Sequence, residues 1–141
     1  MPVPQAGVLM KLEAVRRILN CRVIAGEDKL NEEVGVGCGA DLMSDVLAFI
    51  KPDALLLTGL TNVQSVRTAE IAEVKAIVYV RGKLPDKEAI DLAREKGMVV
   101  LSTGLPMYES CGRLYACGLA GGSELQEGLQ DAKRAPLLST L

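Results

Sequence analysis

The stretch ALLLTGLTNVQSVRTAEIAEVKAIVYV, residues 54–80, carries the clearest structural signal in this chain. An apolar run is followed by a polar turn, by apolar residues at helical spacing, and then by a second apolar run. Continuous apolar runs that flank an amphipathic segment are typical of parallel strands whose two faces are both covered. The stretch therefore predicts an α/β domain, and its polar turn at 58–62 falls where such domains bind ligands.

The same alternation extends on both sides of this stretch and predicts one domain with a mostly parallel sheet. Asp41 is expected to cap the helix that precedes residue 54. We expect residues 1–9 to be a flexible extension and residues 119–141 to be a C-terminal tail, either flexible or a short docking helix. The predicted strands lie at 21–26, 33–38, 54–59, 75–80 and 98–103, and the predicted helices at 10–19, 41–50, 62–72, 85–97 and 106–118.

The composition argues against two classes of partner. The net charge is -2 and aromatic residues make up 3%, so neither a basic surface nor a stacking platform for nucleic acid is expected. No apolar run approaches the roughly 18 residues that span a bilayer, and the N-terminus lacks the basic and apolar segments of a secretory signal. We therefore expect a cytoplasmic protein that binds neither nucleic acid nor membrane.

Two absences argue against an enzyme. The chain contains no histidine, which removes Ser–His and Cys–His nucleophilic pairs and the usual general base near neutral pH. It also contains no GxxxxGK[ST] motif, which removes P-loop phosphate chemistry. Ser102, Thr103 and Cys111 have no activating partner by spacing. We therefore predict a protein that is not an enzyme and that carries no cofactor.

The cysteines do not form a metal-binding pattern. None of Cys21, Cys38, Cys111 and Cys117 belongs to a CxxC pair, as zinc and iron–sulfur sites usually require. We interpret them as buried, reduced thiols that pack like small apolar side chains, with a redox function as the alternative.

Polar residues follow three successive predicted strands, at the ends that parallel strands bring to one edge of a sheet. Hydroxyls, glycines, two cations and the free amides of helix starts would converge there. This combination suits an anion such as a phosphate or a nucleotide. The predicted ligand-binding residues are Thr58, Gly59, Thr61, Asn62, Arg67, Arg81, Gly82, Lys83, Ser102 and Thr103.

The members of this set also have structural interpretations. Asn62 or Thr61 can simply cap the helix that follows. The residues at 81–83 can form a solvated turn, and those at 102–103 can belong to an ordinary loop. Convergence of the whole set at one edge therefore supports a ligand site more strongly than any single member does.

Two charged groups leave alternatives open. Arg67 lies one turn into a predicted helix, from which it can reach back toward the turn at 58–62 or pair with Glu70. Asp41 and Asp45 are spaced i, i+4, so that on one helix they would share a face and could bridge a hard cation. The dipole of a first helical turn can equally account for them. We therefore predict no bound metal. Asp41 and Asp45 are the only residues that we consider candidate metal ligands.

The chain resembles stand-alone DRTGG-domain proteins over about residues 10–118. The resemblance lies in the overall pattern of three runs: MKLEAVRRILNCRVIAGEDKLNEEVGVGC, DLMSDVLAFIKPDALLLTGLTNVQSVRTAEIAEVKAIVYVRGK and LSTGLPMYESCGRLY. The string D-R-T-G-G is itself absent, and its nearest match is VRTAE at 66–70.

The DRTGG domain is similar to the N-terminal domain of HPr kinase/phosphorylase, so the resemblance implies a three-layer α/β/α fold. It also implies regulation rather than catalysis, and frequent dimer formation. The favoured hypothesis is a non-catalytic regulatory module, a homodimer, that senses a small anionic ligand or nucleotide and signals to a protein partner. The alternatives are an interaction or dimerisation scaffold without a ligand and, third, a phosphoryl-handling enzyme.

Overall fold

The structure, a computed structural model, describes residues 8–122. These residues form eight strands, five α-helices and one 3₁₀ turn at Glu27–Lys29. The helices are α1 (Leu12–Ile18), α2 (Met43–Phe49), α3 (Val63–Ile71), α4 (Lys87–Glu95) and α5 (Met107–Ala116). The strands are β1 (Met10–Lys11), β2 (Arg22–Ala25), β3 (Glu33–Val34), β4 (Val36–Gly39), β5 (Leu55–Thr58), β6 (Ala76–Tyr79), β7 (Val99–Ser102) and β8 (Ala120–Gly121).

Six strands form the main sheet in the order β2-β7-β6-β5-β4-β8. All neighbouring strands from β8 to β7 are parallel, whereas β2 runs antiparallel to β7 at the edge. The strands β4, β5, β6 and β7 follow one another in the chain and in the sheet, joined in turn by α2, α3 and α4. The predicted α/β fold with a mostly parallel sheet is confirmed.

Helices cover the main sheet on both faces. Side chains of a strand alternate between faces, so Leu55 and Leu57 pack toward α1 and α5, whereas Leu56 packs toward α2, α3 and α4. All three leucines are buried, and each contributes about 1.5–3 kcal/mol by leaving water. The three-layer α/β/α arrangement is therefore confirmed, and burial on both faces explains why β5 is a continuous apolar run.

Two predictions for the N-terminal part are wrong. The first helix starts at Leu12 and not at Met10, because residues 10–11 form β1. The strand predicted at 33–38 is divided at Gly35 into β3, which pairs with β1 in a separate antiparallel sheet, and β4, which joins the main sheet. Pairing of β1 with β3 depends on residues distant in sequence, which local periodicity does not reveal.

The glycines of β4 allow close packing beneath α5. A β-carbon at Gly39 would lie 2.7 Å from Cys111 Sγ and 3.0 Å from Met107 Sδ, and one at Gly37 would lie 3.0 Å from Leu119 Cδ2. Real β-carbons rarely approach other atoms so closely. A side chain at either position would therefore require Cys111, Met107 or Leu119 to shift.

Asp41 does not cap α2, contrary to the prediction. The helix begins at Met43, Leu42 occupies the N-cap position, and no side chain caps the helix. Asp41 instead uses its carboxylate to accept a hydrogen bond from the main-chain N–H of Gly59, at the end of the neighbouring strand.

The main sheet extends beyond the boundary predicted at residue 119. Leu119 and Ala120 are buried, and Ala120–Gly121 form β8, which pairs with Val36 and Gly37 of β4. The C-terminal tail therefore cannot start at 119, while residues 1–7 and 123–141 of the predicted extension and tail lie outside the described residues. Between residues 8 and 122, no helix is long and apolar enough to cross a membrane.

Candidate functional site

The carboxyl ends of β4, β5, β6 and β7 meet at one edge of the main sheet because these strands are parallel. After β6 the chain turns to α4 on one face, whereas after β7 it turns to α5 on the other. The gap between such diverging loops is where open α/β sheets bind ligands. The predicted ligand-binding residues other than Arg67 lie at these strand ends or in the loops that follow them.

The gap between β6 and β7 is closed by main-chain hydrogen bonds. The N–H of Arg81 donates to the carbonyl of Leu105 at 2.8 Å, and the N–H of Gly82 donates to the carbonyl of Thr103 at 2.8 Å. The main-chain N–H groups of Arg81 and Gly82 are therefore already used, whereas the side chains of Arg81 and Lys83 remain available to a ligand.

Charged side chains converge on Gly59, directly after β5. Asp41 Oδ1 accepts hydrogen bonds from the Gly59 N–H at 2.7 Å and from the Thr58 hydroxyl at 3.2 Å. Lys83 Nζ donates to the Gly59 carbonyl at 3.2 Å. Arg81 Nη2 lies 2.7 Å from the point that a β-carbon at Gly59 would occupy. One carboxylate and two cations therefore surround the end of β5, and the arginine packs there because residue 59 has no side chain.

Arg81 has an unusual backbone and an unused side chain. Its φ is 62°, in the left-handed region, which costs about 1–2 kcal/mol for a residue with a β-carbon. Its side chain is exposed, and within residues 8–122 the guanidinium makes no hydrogen bond or ion pair. Asn20, Asp53 and Glu73, outside this site, share the positive φ. The exposed and unpaired cation beside Gly59 is therefore the feature that makes Arg81 a candidate for anion binding.

The hydroxyls of Ser102 and Thr103 hold loops in place. Ser102 Oγ donates to the Lys83 carbonyl at 2.9 Å. Thr103 is buried, and its Oγ1 donates to the Leu19 carbonyl at 2.7 Å and accepts from the Leu105 N–H at 3.2 Å. Both hydroxyls donate to carbonyls, which do not activate them as nucleophiles.

The turn after β5 prepares the start of α3. Asn62 is the N-cap residue, and its Oδ1 accepts a hydrogen bond from the Gln64 N–H at 3.1 Å. The Thr61 carbonyl accepts from the Asp86 N–H at 2.9 Å, which ties this turn to the start of α4. The structural interpretation of Asn62 as a helix cap is therefore confirmed.

Arg67 lies apart from this cluster. It is exposed on α3, on the side opposite to the buried Val66 and Ala69. Of the two alternatives, the pair with Glu70 is wrong, because Glu70 contacts Lys96 on α4 at 3.2 Å. Within residues 8–122, Arg67 makes no hydrogen bond or ion pair.

Asp41 belongs to this site, although the sequence predicted it to be the cap of α2. It precedes α2 while Asp45 lies within that helix, so the shared helix face on which the metal interpretation rested is absent. Between residues 8 and 122, no cluster of three or more His, Cys, Asp or Glu side chains could hold a metal ion. The signal that points to Asp41 is the strand order, since a loop after β4 reaches the same edge as the loop after β5.

None of the four thiols is among the groups that contact Gly59, and Cys38 lies near Cys111, since both line the same cavity. Cys111 lines an apolar cavity of about 150 Å³ between α5 and the β4–β8 edge. It packs with the core on the α5 face, whereas Cys38 packs with the core on the opposite face. Burial raises the pKa of both thiols, and raises the pKa of Cys21 to about 12. The interpretation as buried thiols suits Cys21 best and is wrong for Cys117, which is exposed.

Comparison with known proteins identifies the family. The family model of the DRTGG domain matches residues 14–117, and no curated protein matches the chain. A similar solved structure contains the CBS and DRTGG domains of the regulatory region of Clostridium perfringens pyrophosphatase, complexed with the activator diadenosine tetraphosphate. Its TM-score is 0.60 at 17% sequence identity, which shows a shared fold. The match covers 78% of this chain and 47% of that one, so the chain spans about half the length of that structure. Because the family model covers most of its length, the chain belongs to the DRTGG domain family.

Proposed function

We propose that this chain is a non-catalytic, cytoplasmic regulatory module that binds a small anionic ligand or a nucleotide beside Gly59. Binding of this ligand would be signalled to a protein partner. The observation that carries the proposal is the guanidinium of Arg81, which is exposed, unbonded within residues 8–122, and held over Gly59 by a strained backbone.

The surroundings of Arg81 support an anion over other ligands. Lys83 places a second cation on the same glycine, since its Nζ lies 3.2 Å from the Gly59 carbonyl. A guanidinium presents several N–H donors in a plane, which suits the oxygens of a phosphate or carboxylate. The site is an open edge of the sheet and not an enclosed cavity, so it suits the charged end of a ligand better than an apolar one.

The family supports a regulatory function. The similar DRTGG domain is part of the regulatory region of a pyrophosphatase, and that structure contains a nucleotide activator with a phosphate chain. A chain of phosphates is the class of anion that two neighbouring cations would bind. We therefore rank nucleotides and polyphosphates first among the ligands to test.

A thermal-shift experiment tests this proposal with pyrophosphate, ATP and diadenosine tetraphosphate as probes. A ligand at about 100 times its Kd stabilises the folded protein by about 2.7 kcal/mol. We expect saturable stabilisation of the wild type and none of the double variant Arg81→Ala/Lys83→Ala. The control variant Arg22→Ala/Arg113→Ala removes two exposed cations from β2 and α5 and should respond like the wild type. Equal responses of both double variants would reject the site, and no response of the wild type would reject this ligand class.

A second candidate function is a scaffold that forms a homodimer or binds another protein without a ligand. The observation in its favour is a group of exposed apolar side chains on α2 and α3, two helices that pack side by side. Phe49 and Ile71, at the ends of these helices, are 72% and 70% exposed. Leu42 and Leu47 are also exposed.

Analytical ultracentrifugation distinguishes the two functions. If the chain is a scaffold, Phe49→Lys/Ile71→Lys should dissociate an oligomer that Arg81→Ala/Lys83→Ala leaves intact. If instead the wild type forms no oligomer, and Arg81→Ala/Lys83→Ala loses ligand binding in the thermal-shift experiment, the results support the ligand-binding module and not the scaffold.

A further inference from the structure

The anion donors at the end of β5 are already occupied by an anion of the protein itself. Asp41 Oδ1 accepts from the Gly59 N–H at 2.7 Å and from the Thr58 hydroxyl at 3.2 Å. A main-chain N–H beside a hydroxyl is the arrangement that also binds phosphate oxygens. The carboxylate of Asp41 therefore lies where a ligand oxygen would make its shortest contacts.

The nearby cation does not neutralise this carboxylate by direct contact. The position of a β-carbon at Gly59 is 2.7 Å from Arg81 Nη2 and 3.4 Å from Asp41 Oδ1, so both groups border the same small space. No ion pair within 4.0 Å joins Arg81 to Asp41. An anion bound by Arg81 would consequently lie close to the negative charge of Asp41 and be repelled by it.

Asp41 is attached to a part of the fold that can respond to its release. It lies in the loop between β4 and α2, and α2 begins at Met43 without a side-chain cap. The hydrogen bonds of Asp41 with Gly59 and Thr58 tie this loop to the end of β5. One residue earlier, the Ala40 N–H donates to the Leu57 carbonyl at 3.0 Å and holds residue 40 in place. Displacing the carboxylate would free the start of α2, the helix whose outer side carries the exposed Leu47 and Phe49.

We propose that Asp41 is a built-in competitor of the anionic ligand, and that its displacement transmits ligand occupancy to α2. This inference rests on the proposed function, because it concerns the same site. The carboxylate occupies the Gly59 donor in the free protein, a phosphate oxygen replaces it in the bound protein, and residues 41–42 then move with the start of α2.

The binding test uses pyrophosphate as the probe and isothermal titration calorimetry as the measurement. Asp41→Asn keeps an oxygen that can accept from Gly59 and removes the charge, so it should bind pyrophosphate about tenfold more tightly than the wild type, which corresponds to about 1.4 kcal/mol. Asp41→Ala removes the acceptor as well and should bind at least as tightly as Asp41→Asn. The matched control, Asp45→Asn, removes the same charge from α2 without a contact to Gly59, and its affinity should stay within about twofold of the wild type.

The structural test follows amide resonances by NMR in the same titration. In the wild type, pyrophosphate should shift the Gly59 amide and also the amides of Leu42 and Met43 at the start of α2. In Asp41→Ala, the Leu42 and Met43 amides should already differ from the wild type without ligand and should change little on binding.

The outcomes separate this inference from the proposed function. Binding by the wild type with no gain in Asp41→Asn overturns the competition and leaves the proposed function intact. A shift at Gly59 without one at Leu42 or Met43 overturns the transmission to α2. Absence of binding in the wild type and in both Asp41 variants overturns the proposed function and this inference together.

Discussion

The main-chain N–H of Gly59 donates to the carboxylate of Asp41 across 2.7 Å, a contact between residues 18 apart in the chain. It joins the ends of β4 and β5, which are neighbours in the sheet. The carboxylate reaches this donor because Asp41 precedes α2 and is not part of its first turn. Arg81 borders the same glycine from the loop after β6, so residue 59 is the point at which three loops of the site meet.

Gly59→Ala should weaken anion binding with little change in stability. The new β-carbon would lie 2.7 Å from Arg81 Nη2, and Arg81 must move to avoid it. Since the clash is with the end of a flexible side chain, the fold should tolerate it, whereas pyrophosphate affinity should fall about tenfold if Arg81 binds the ligand. Gly104→Ala is the control, because a β-carbon there meets nothing within 4 Å. Unchanged affinity in Gly59→Ala, measured by calorimetry, would show that the position of Arg81 does not matter.

Arg81→Gly should give a more stable protein than Arg81→Ala. Both variants lack the guanidinium, but only glycine adopts the φ of 62° without strain. We expect a difference of about 1 kcal/mol in the free energy of unfolding, measured by urea denaturation. Both variants should bind pyrophosphate equally poorly. Equal stability of the two would mean that the backbone at residue 81 relaxes to another conformation when the arginine is removed.

Thr103→Val should destabilise the fold by about 1–3 kcal/mol, because it leaves a buried carbonyl without its hydrogen-bond donor. The donor is Thr103 Oγ1, which lies 2.7 Å from the Leu19 carbonyl. Thr61→Val is the control, since its hydroxyl is not among the hydrogen-bonded groups of residues 8–122, and its effect should stay within about 0.5 kcal/mol. If Thr103→Val unfolds at the same urea concentration as Thr61→Val, the contact with Leu19 contributes nothing to stability.

Stability should fall at alkaline pH, in part because of Cys21. Burial raises the pKa of this thiol to about 12 in the folded protein, whereas a thiol in an unfolded chain has a pKa of about 8.5. Between these values the unfolded chain loses a proton that the folded chain retains, so rising pH favours unfolding. The stabilising contribution is thus complete below about pH 8.5 and is lost as the pH rises toward 12.

The measurement is the urea midpoint at pH 7.5 and at pH 10 for the wild type and for Cys21→Ala. The variant should be less stable at both pH values but should lose less between them. Cys117→Ala removes an exposed thiol and should keep the pH dependence of the wild type. An equally steep loss in Cys21→Ala would assign the pH dependence to other groups, such as Tyr79, whose pKa is also raised by burial.

The part of the fold from β5 to α5 follows from the sequence because local and tertiary signals agree there. Asn62 caps α3, Gly97 takes a φ of 68° after α4, and the apolar runs are buried on both faces. The N-terminal part was harder to predict. Two-residue strands such as β1 and β3 carry no periodicity, and their existence depends on a pairing between distant residues.

The position of the candidate site could be predicted from the sequence, whereas several of its contacts could not. Parallel strands necessarily bring their carboxyl ends together, so the loops after β5, β6 and β7 were correctly expected at one edge. The sequence could not reveal that Thr103 turns inward to Leu19, or that Asp41 bonds to Gly59 instead of capping a helix. Those choices depend on which groups become neighbours after folding, whereas capping and ion-pair rules consider only the nearest residues.

The strand order also has a consequence for synthesis on the ribosome. β4 pairs with β5 soon after both have been made, but its other side pairs with β8, which emerges only after α5. Throughout that interval, the nascent chain presents one side of β4 with unpaired N–H and C=O groups. Such an edge invites pairing with strands of other chains, and β4 carries Gly37 and Gly39, which leave few side chains to define the register.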